Sequence, residues 1–423
     1  MLYHRPIRRR FADASTVVEH ARSFARHSRL GVVELNTHAG FPPALRGVAF
    51  DAVVLHYSLF GTHRYHLSDA FRAYVRATDA YTVAFFQDEY INCRRRFDFI
   101  NAHGVDCIYT CLEPDQFDAV YGRYTSVPTI RHTLTGYVSE DLRQAAARLG
   151  KSDAERTIDV GYRGRPLAVY LGRGGQEKEL IGRHFAELAA GSGLRLDIEG
   201  AEADRLYGDA WHRFVAECRC MLGVESGASA FDLEGEIQAE YRQFAARGVR
   251  PSLEQLESLR RWDGAISLRT ISPRHFEAAA FRVCQVLFEG RYSDVMEPMR
   301  HYIPLRKDFS NFADVLRLLR DPEVRRELTE NAHRDLIASR RYDYAAFVAE
   351  MDETLAAAGV EPLHDRQAAL AAVMHGQRLR HLRSHVRDSA REVLQASMRA
   401  IEPGTRRIRK LIGRPRRPTV LPD

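Results

Sequence analysis

Tyr81-Thr-Val-Ala-Phe-Phe86 is an apolar run of strand length. A helical pattern near Tyr90–Ala102 follows it, and a second apolar run, Asp106–Leu112, comes after that helix. Strands that alternate with helices of this length are typical of a parallel sheet whose two faces are covered. The stretch therefore predicts one unit of an α/β domain.

The same alternation extends in both directions from this unit. Strand-like runs occur at Gly31–Asn36 and Phe50–His56 before it and at Val127–His132 after it. A polar, charged segment then follows. We expect a first doubly wound domain over residues 1–135 and a linker over 136–160.

A second alternation begins at Gly161. Its predicted strands include Leu194–Glu199, Cys220–Val224 and Val283–Phe288, with a helical insertion over Leu233–Arg261. Three helices that end near Ala358 are expected to close this domain, which would span residues 161–364. The predicted fold class is α/β, with two Rossmann-like doubly wound domains that face a cleft. Ligands of such sheets bind at the carboxyl ends of the strands.

Composition excludes several classes of protein. The chain has 423 residues, of which 45% are hydrophobic and 28% charged, as expected of a soluble globular protein with two domains. No run approaches the roughly 20 apolar residues of a membrane helix, and the basic N-terminus has no apolar core of a secretory signal. The six cysteines form neither CxxC pairs nor a zinc-site spacing, so we expect reduced thiols and a cytoplasmic protein.

The basic charge is concentrated in a C-terminal tail, residues 365–423. Fourteen basic and five acidic side chains give the tail a charge of +9, whereas the first 364 residues carry −3 of the overall +6. Apolar residues such as Leu382 and Val386 recur there at mostly helical spacings. The pattern predicts a basic amphipathic tail that places the protein peripherally on the inner face of the cell membrane, where each nearby cation contributes about 1 kcal/mol. The alternative is a solvated or disordered tail.

Nucleotide chemistry is restricted by the motifs that the sequence lacks. Neither GxGxxG nor GxxxxGK[ST] occurs, and no Asp-x-Asp pair offers a metal site for a diphosphate. No tightly bound metal or cofactor is therefore expected, and phosphates would be neutralised by cations and backbone N–H groups. Only four of the 62 basic residues are Lys, an Arg bias that we ascribe to a GC-rich genome, and no nucleic-acid partner is expected.

Two glycine-rich segments could bind the phosphates. Gly161-Tyr-Arg-Gly-Arg165 contains Arg163 and Arg165, and Leu171-Gly-Arg-Gly-Gly-Gln-Glu-Lys178 contains Arg173 and Lys178 at the start of a predicted helix. Glycines allow a backbone to approach a phosphate, and a helix N-terminus carries a partial positive charge. The alternative is a surface turn with solvated charges.

Two further segments place polar groups at predicted strand ends. Met221-Leu-Gly-Val-Glu-Ser-Gly227 brings Glu225 and Ser226 to the end of an apolar strand, although an ordinary strand-to-helix turn would look the same. In Ile271-Ser-Pro-Arg-His-Phe-Glu277, Ser272 can cap a helix whose first turns carry Arg274 and Glu277. Glu277 could accept both hydroxyls of a ribose, or it could merely stabilise the helix dipole.

Pro273-Arg-His-Phe-Glu-Ala-Ala-Ala280, followed by Val283–Glu289 and His301–Asp308, resembles the C-terminal domain of a GT-B glycosyltransferase of the group 1 type. The resemblance is to the branch with spore-maturation-like and surface-polysaccharide enzymes. It covers about residues 161–347, is mainly architectural over 31–132 and does not include the tail.

The resemblance implies a transferase that uses a nucleotide-diphosphate sugar. By it, Glu277 would hold the ribose, and Arg173 and Lys178 the diphosphate. The family often has a Glu-x7-Glu pair whose first member lies near the donor sugar, and this position is Arg269 here. The donor-sugar contacts and the stereochemistry are therefore open.

Catalytic candidates lie at the strand ends of the first domain. His38 follows the first predicted strand, and Asp88 and Glu89 follow Tyr81–Phe86. Inverting glycosyl transfer needs a base for the acceptor proton, and Asp88 or His38 could supply it. Asp88 and Glu89 could equally cap the next helix, and a lone histidine is more often structural.

The sequence thus predicts a glycosyltransferase acting on a glycan, lipid-linked or macromolecular acceptor, in the synthesis of surface polysaccharide or glycoconjugates. Two alternatives stay open. The same architecture serves sugar-nucleotide epimerases and polyol-phosphate polymerases. The missing carboxylate at Arg269 also permits a non-catalytic scaffold that binds nucleotide or glycan.

Overall fold

The computed structural model describes residues 1–6, 15–62, 64–361, 371, 373–383 and 386. Within these residues the chain forms two parallel sheets, each covered by helices, and a separate two-stranded antiparallel sheet. The prediction of an α/β protein with two Rossmann-like domains is confirmed.

The first domain is built on a six-stranded sheet in which every pairing is parallel, with the order β2-β1-β3-β4-β5-β6. Its strands are β1 (Leu2–Tyr3), β2 (Leu35–Asn36), β3 (Ala52–Leu55), β4 (Tyr81–Phe85), β5 (Cys107–Thr110) and β6 (Thr129–His132). Its first helices are α1 (Ser15–His27), α2 (Asp69–Ala77) and α3 (Cys93–His103). The central strands are apolar throughout because helices cover both of their faces, and Val83, Ala84 and Phe85 are buried.

Strand β1 was not predicted. It lies between β2 and β3, where Leu2 pairs with Leu35 on one side and with Leu55 on the other. Two residues are too few for a periodic pattern, and the strand is defined only by partners more than 30 residues away. Strand β2 is correspondingly shorter than the predicted run Gly31–Asn36.

The second domain contains a five-stranded parallel sheet with the order β13-β12-β9-β7-β8. The remaining strands are β7 (Ile158–Arg163), β8 (Leu196–Glu199), β9 (Cys218–Gly223), β10 (Ser226–Ala230), β11 (Asp263–Thr270), β12 (Cys284–Phe288) and β13 (Ile303–Leu305). The helices are α4 (Glu140–Leu149), α5 (Gly172–Leu188), α6 (Asp209–Glu217), α7 (Glu236–Ala246), α8 (Glu257–Trp262), α9 (Pro273–Ala280), α10 (Phe312–Arg320), α11 (Pro322–Ala332) and α12 (Tyr344–Ala357).

The predicted insertion Leu233–Arg261 is helical, as expected, but it lies between the two strands of a β-hairpin that the sequence did not predict. Strands β10 and β11 pair antiparallel, and α7 and α8 lie between them. The hairpin also contacts the first domain, because the Asp232 N–H donates to the Tyr90 carbonyl (2.9 Å) and the Arg94 N–H donates to the Leu233 carbonyl (2.8 Å). It therefore joins the two domains beside the cleft.

Two helices pack differently from the prediction. Helix α4, within the predicted linker, packs on α6 and α9 of the second domain. Helix α12 was expected to close the second domain, but its Phe347 and Met351 pack with Phe85 and Tyr109 of the first sheet. An apolar helix face shows that a partner exists and does not show which domain supplies it.

Most of the predicted tail, residues 365–423, lies outside the described residues. Residues 371, 373–383 and 386 are helical, and we call them the tail helix. Within the part of the chain that the structure describes, we find no helix with the length and apolar character needed to span a membrane.

Candidate functional site

A cleft of about 1150 Å³ lies between the carboxyl edges of the two large sheets. Its lining comes from both domains. The first domain contributes Thr16, Gly61, Thr62, Arg64, His66, Asp88, Tyr90 and Ile91. Among the residues that the second domain contributes are Arg163, Arg165, Lys178, Trp211, Ser226, Arg274, His275 and Glu277. The cleft thus contains seven of the ten residues that the sequence singled out.

Lys178 projects from α5 into the cleft. Burial, together with the nearby positive charges of Arg274 and Arg269, lowers the pKa of its ammonium to about 8, against the opposing charge of Asp88. Among the described residues, no hydrogen bond or ion pair to this ammonium is found. Lys178 is therefore a cation that lacks an anionic partner, at the wall of an open cleft.

Glu277 lies on the first turns of α9. The Ser272 hydroxyl accepts the Arg274 N–H at 3.4 Å and Pro273 occupies the first helical position, which explains why the helix begins here. One Glu277 carboxylate oxygen, Oε2, accepts the indole N–H of Trp211 at 2.7 Å. Burial raises the pKa of the carboxyl. The hydrogen bond fixes one oxygen of a carboxylate that lines the cleft.

Trp211 was not identified from the sequence, yet it organises this wall. Besides its bond to Glu277, its ring lies 4.8 Å from the Arg274 guanidinium carbon. Arg274 in turn donates to the backbone carbonyl of Arg163. The only signal in the sequence was the rarity of the residue, since the chain has two tryptophans.

Arg163 and Arg165 both line the cleft, but they differ in their partners. The Arg163 guanidinium forms an ion pair with Asp197 (2.7 Å), and its carbon lies 4.1 Å from the centre of the Phe214 ring. Its contacts are therefore with residues of its own domain. Arg165 is exposed, and its charge reaches the phenol of Tyr90 on the opposite wall. Arg165 is thus the better placed of the two to contact an anion.

Arg173 does not line the cleft. Helix α5 begins at Gly172, and the Arg173 side chain is 85% exposed and forms an ion pair with Asp263 at 3.4 Å. The Arg173 N–H donates to Asp263 Oδ1 (3.2 Å), and the Gly174 N–H donates to Ser229 Oγ (2.8 Å). Side chains of the β10–β11 hairpin therefore occupy the helix N-terminus that was expected to bind a diphosphate.

The glycines of this turn make room for the hairpin. A Cβ atom at Gly172, where φ is +77°, would lie 2.3 Å from Asp263 Oδ1 and 2.5 Å from Ser229 Oγ. At Gly174 it would lie 2.5 Å from the guanidinium of Arg269. The close approach that glycine permits here is to side chains of the same protein.

Glu225 also lies outside the cleft lining. Its carboxylate is buried, where it accepts the N–H groups of Arg291 (3.1 Å) and Tyr292 (3.0 Å) and lies 3.5 Å from Arg269 Nε. Arg269 also pairs with Glu177. The position at which the family often has a carboxylate thus holds a cation that two internal carboxylates neutralise. Ser226, one residue on, does line the cleft.

Of the two predicted bases, only Asp88 reaches the cleft. It follows β4 in a left-handed conformation (φ 53°), and its Oδ1 accepts the hydroxyl of Tyr90 at 3.1 Å. Glu89 points the other way and is buried, where it accepts the Thr110 hydroxyl and the Cys111 N–H. The neighbouring carboxylates thus differ in their surroundings, since Asp88 lines the cleft and Glu89 is buried in the first domain.

His38 is separated from the cleft by two other histidines. Its ring lies 5.5 Å from the ring of His4, which stacks at 3.9 Å on His66, and His66 is the member of the group that lines the cleft. His38 itself is not among the residues that line the cleft, and its role as the base stays a prediction. The position of His38 after a strand predicted the correct edge of the sheet. It did not predict strand β1, which lies between β2 and β3 and places His4 beside His38.

His275 is a further cleft residue that the sequence did not single out. Its Nδ1 lies 2.9 Å from Gln285 Oε1, and burial lowers the pKa of the imidazole to about 4. The ring is therefore neutral at physiological pH, and we assign it to holding α9 against β12.

All six cysteines are buried and free. Among the described residues there is no group of three or more His, Cys, Asp or Glu side chains placed to hold a metal ion. The charged side chains that line the cleft are those of arginines, Lys178 and individual Asp and Glu residues.

Comparisons with known proteins give distant structural likenesses. No protein-family model and no curated protein matches the chain. TarM matches over 74% of this chain and 56% of its own, with 11% identity and a TM-score of 0.40, so the chain spans little more than half of TarM. An alpha-glucosyltransferase in complex with UDP and a 13-mer DNA matches over 76% of this chain and 84% of its own, with 10% identity and a TM-score of 0.44. The trehalose 6-phosphate synthase of Burkholderia multivorans matches over 83% of this chain and 84% of its own, with 12% identity and a TM-score of 0.44.

Proposed function

We propose that the protein is a glycosyltransferase that transfers a sugar from a nucleotide-diphosphate donor to an acceptor bound in the cleft. The observation that carries this proposal is the pairing of Glu277 and Lys178 in one cleft. Glu277 presents a hydrogen-bond acceptor beside Trp211, and Lys178 presents a cation to which no described residue supplies a hydrogen bond or ion pair. A ribose and a diphosphate are adjacent parts of one ligand. The carboxylate suits the ribose hydroxyls, and the ammonium suits the diphosphate.

The donor would lie along the second domain. The carboxylate of Glu277 would accept the ribose hydroxyls, since charged acceptors form the stronger hydrogen bonds to neutral donors. Lys178, Arg274 and Arg165 would neutralise the diphosphate. The volume of about 1150 Å³ exceeds the usual range of about 300–1000 Å³ for a small-molecule pocket, which leaves room for a second substrate.

Departure of the nucleoside diphosphate is the step that these cations would assist. Negative charge grows on the leaving phosphate oxygen as the glycosidic bond breaks, and fixed positive groups lower the barrier when they are already in place. Three organic cations can supply this charge without a tightly bound metal or cofactor. We therefore propose a metal-independent transferase.

Asp88 is our candidate for the group that takes the acceptor proton. It lies on the first-domain wall, across from the donor, and the Tyr90 hydroxyl fixes the orientation of its carboxylate. The acceptor would lie between Asp88 and the Gly61–Thr62 turn. A glycan, lipid-linked or macromolecular acceptor fits the proposal, and we place the reaction at the cytoplasmic face, in surface polysaccharide or glycoconjugate synthesis.

The test is identification of products by mass spectrometry after incubation with a panel of nucleotide sugars and candidate acceptors. Wild type should release nucleoside diphosphate and form a glycosylated acceptor, and Asp88→Asn should lower kcat by about 10² or more while donor binding persists. Asp79→Asn, at the opposite end of β4, is the matched control and should behave as wild type. An epimerised sugar or a polyol-phosphate product, or no turnover of any donor, would contradict the proposal.

A further inference from the structure

The tail helix is fixed to the first domain along one of its faces. Val373 is fully buried in the core of that domain. The Gln377 side chain donates a hydrogen bond to the Asn36 carbonyl (3.0 Å), at the carboxyl end of β2. Gly376 lies against Pro42. This helix is therefore part of the folded domain and has a defined orientation on it.

The opposite face of the tail helix carries an exposed apolar stripe. Leu379, Leu382 and Val386 are 47%, 64% and 63% exposed. Their spacing of three and four residues puts them on one side, and at 3.6 residues per turn this is the side away from Val373 and Gln377. Of the large hydrophobic side chains that are exposed in the described part of the chain, the two most exposed are on this stripe.

Positive charge borders the stripe on both sides. Arg378 and Arg383 are exposed and flank it, and His375 lies within it. The described residues of this helix include no Asp or Glu. An apolar stripe between arginines is complementary to a surface that offers anionic groups above an apolar layer. A nucleic acid would leave the stripe exposed, and a second copy of the helix would bring like charges together.

The location of the helix relates it to the acceptor side of the cleft. Asn36, its partner, is followed by the turn that carries His38. The rings of His38, His4 and His66 then form a continuous series of contacts, and His66 lines the cleft. A surface bound by the tail helix would therefore lie beside the first-domain wall, where the acceptor is expected.

We propose that the tail helix docks the protein on an anionic membrane surface, with Leu379, Leu382 and Val386 inserted among the lipids. The first-domain half of the cleft then faces the bilayer edge, so the acceptor class is a lipid-linked molecule. The inference of membrane binding depends only on the tail helix, whereas the inference of a lipid-linked acceptor rests on the proposed function.

The test is co-sedimentation of the full-length protein with vesicles of phosphatidylglycerol and phosphatidylcholine, against vesicles of phosphatidylcholine alone. Wild type should bind only the anionic vesicles, and added salt should weaken binding. Leu379→Gln/Leu382→Gln/Val386→Gln should weaken it at least about tenfold, and Arg378→Gln/Arg383→Gln about thirtyfold. Leu188→Gln/Val249→Gln removes two comparably exposed apolar side chains of the second domain and should bind as wild type.

Equal binding by all of these variants, or equal binding to neutral vesicles, would overturn the membrane proposal. So would a dimer of the wild type that the triple substitution dissociates, since the stripe would then contact a second copy. Binding of a nucleoside diphosphate, measured on the same samples, separates the two proposals. The tail variants should keep it, and its absence from wild type would contradict the proposed function without affecting the vesicle result.

Discussion

Burial disfavours the charged form of both residues on which the donor site depends, and so gives them opposite pKa shifts. The pKa of the Lys178 ammonium falls to about 8, whereas that of the Glu277 carboxyl rises. A bound diphosphate would compensate the lysine, and ribose hydroxyls would compensate the carboxylate. The charged form of each side chain is thus less stable in the empty cleft than in the complex with the nucleotide.

The first prediction concerns the pH dependence of nucleotide binding. Above pH 8 the free protein loses the Lys178 proton, so affinity for a nucleoside diphosphate should fall by up to about tenfold per pH unit. Lys178→Arg keeps its charge and should flatten the profile. Calorimetric titrations at pH 7, 8 and 9 measure the effect, with the uncharged nucleoside as the control. Parallel profiles for wild type and the arginine variant would contradict the assignment.

The second prediction concerns stability of the empty protein. With a pKa of about 8 in the folded state and 10.5 in the unfolded state, Lys178 binds its proton more tightly when unfolded. The free energy of unfolding should therefore rise between pH 8 and 10.5, and at pH 7 the residue should cost roughly 3 kcal/mol.

Lys178→Met should accordingly unfold at higher urea concentration than wild type at pH 7, and the difference should vanish near pH 10.5. Arg183→Met, an exposed position on the same helix, is the control and should change little. A Met variant less stable than wild type at pH 7 would show that the ammonium has a stabilising partner.

For single residues, the sequence predicted which types of side chain the site contains better than it predicted which of them point into the cleft. Lys178, Arg274 and Glu277 were chosen at the starts of predicted helices and Asp88 as a polar group at a strand end, and all four line the cleft. Glu225 was chosen on the same grounds as Asp88, yet it is buried away from the cleft while the adjacent Ser226 lines it. A one-residue difference reverses the direction of a side chain, and no pattern in the sequence fixes that direction.

At the scale of elements, the N-terminus of α5 shows how an insertion changes a site. Its N–H groups are bound by Ser229 and Asp263 of the hairpin, which take the place of an external anion. The sequence did not reveal this because β10 consists of small residues, Ser-Gly-Ala-Ser-Ala, and β11 pairs only with it. Strand β10 lacks the apolar alternation that predicts a strand, and in β11 this alternation is limited to the short run Ile266-Ser-Leu-Arg269.

The third prediction follows from this cap. Ser229→Ala/Asp263→Ala should destabilise the protein by about 1–2 kcal/mol, the usual cost of losing helix-capping groups. Nucleotide affinity should stay within about threefold of wild type, because the account places the phosphates at Lys178. Urea unfolding and calorimetric binding on one preparation give both values. Nucleotide affinity that rises tenfold or more would mean that the freed helix N-terminus is itself the phosphate site.

At the scale of the whole molecule, several connections join the domains, among them the ion pair between Arg291 and Asp115 (3.0 Å). The chain crosses once before α4, α12 returns to the first sheet, and the β10–β11 hairpin bonds to residues 90–94. The sequence predicted two α/β domains because each repeats a local alternation. It did not predict the return of α12, because that packing joins residues about 240 positions apart, such as Tyr109 and Thr354.

The fourth prediction is that the two domains unfold as one unit. Phe347→Ala removes a ring that packs with Phe85 and Tyr137, and it should cost about 3–5 kcal/mol. Differential scanning calorimetry should show a single transition for wild type and a single, lower transition for the variant. Two transitions in wild type, of which only one shifts in the variant, would contradict the coupling through α12.

Calorimetric titration of the wild type with nucleoside diphosphates, without divalent metal, tests whether the cleft holds the donor. We expect binding of at least one nucleoside diphosphate, weakened about 10- to 100-fold by Glu277→Gln through the lost charged acceptor and abolished by Lys178→Met. Glu187→Gln, an exposed carboxylate on α5, should bind as wild type. Binding that Glu277→Gln and Lys178→Met leave unchanged, or no binding of any nucleoside diphosphate, would contradict the claim that this cleft holds a nucleotide-sugar donor.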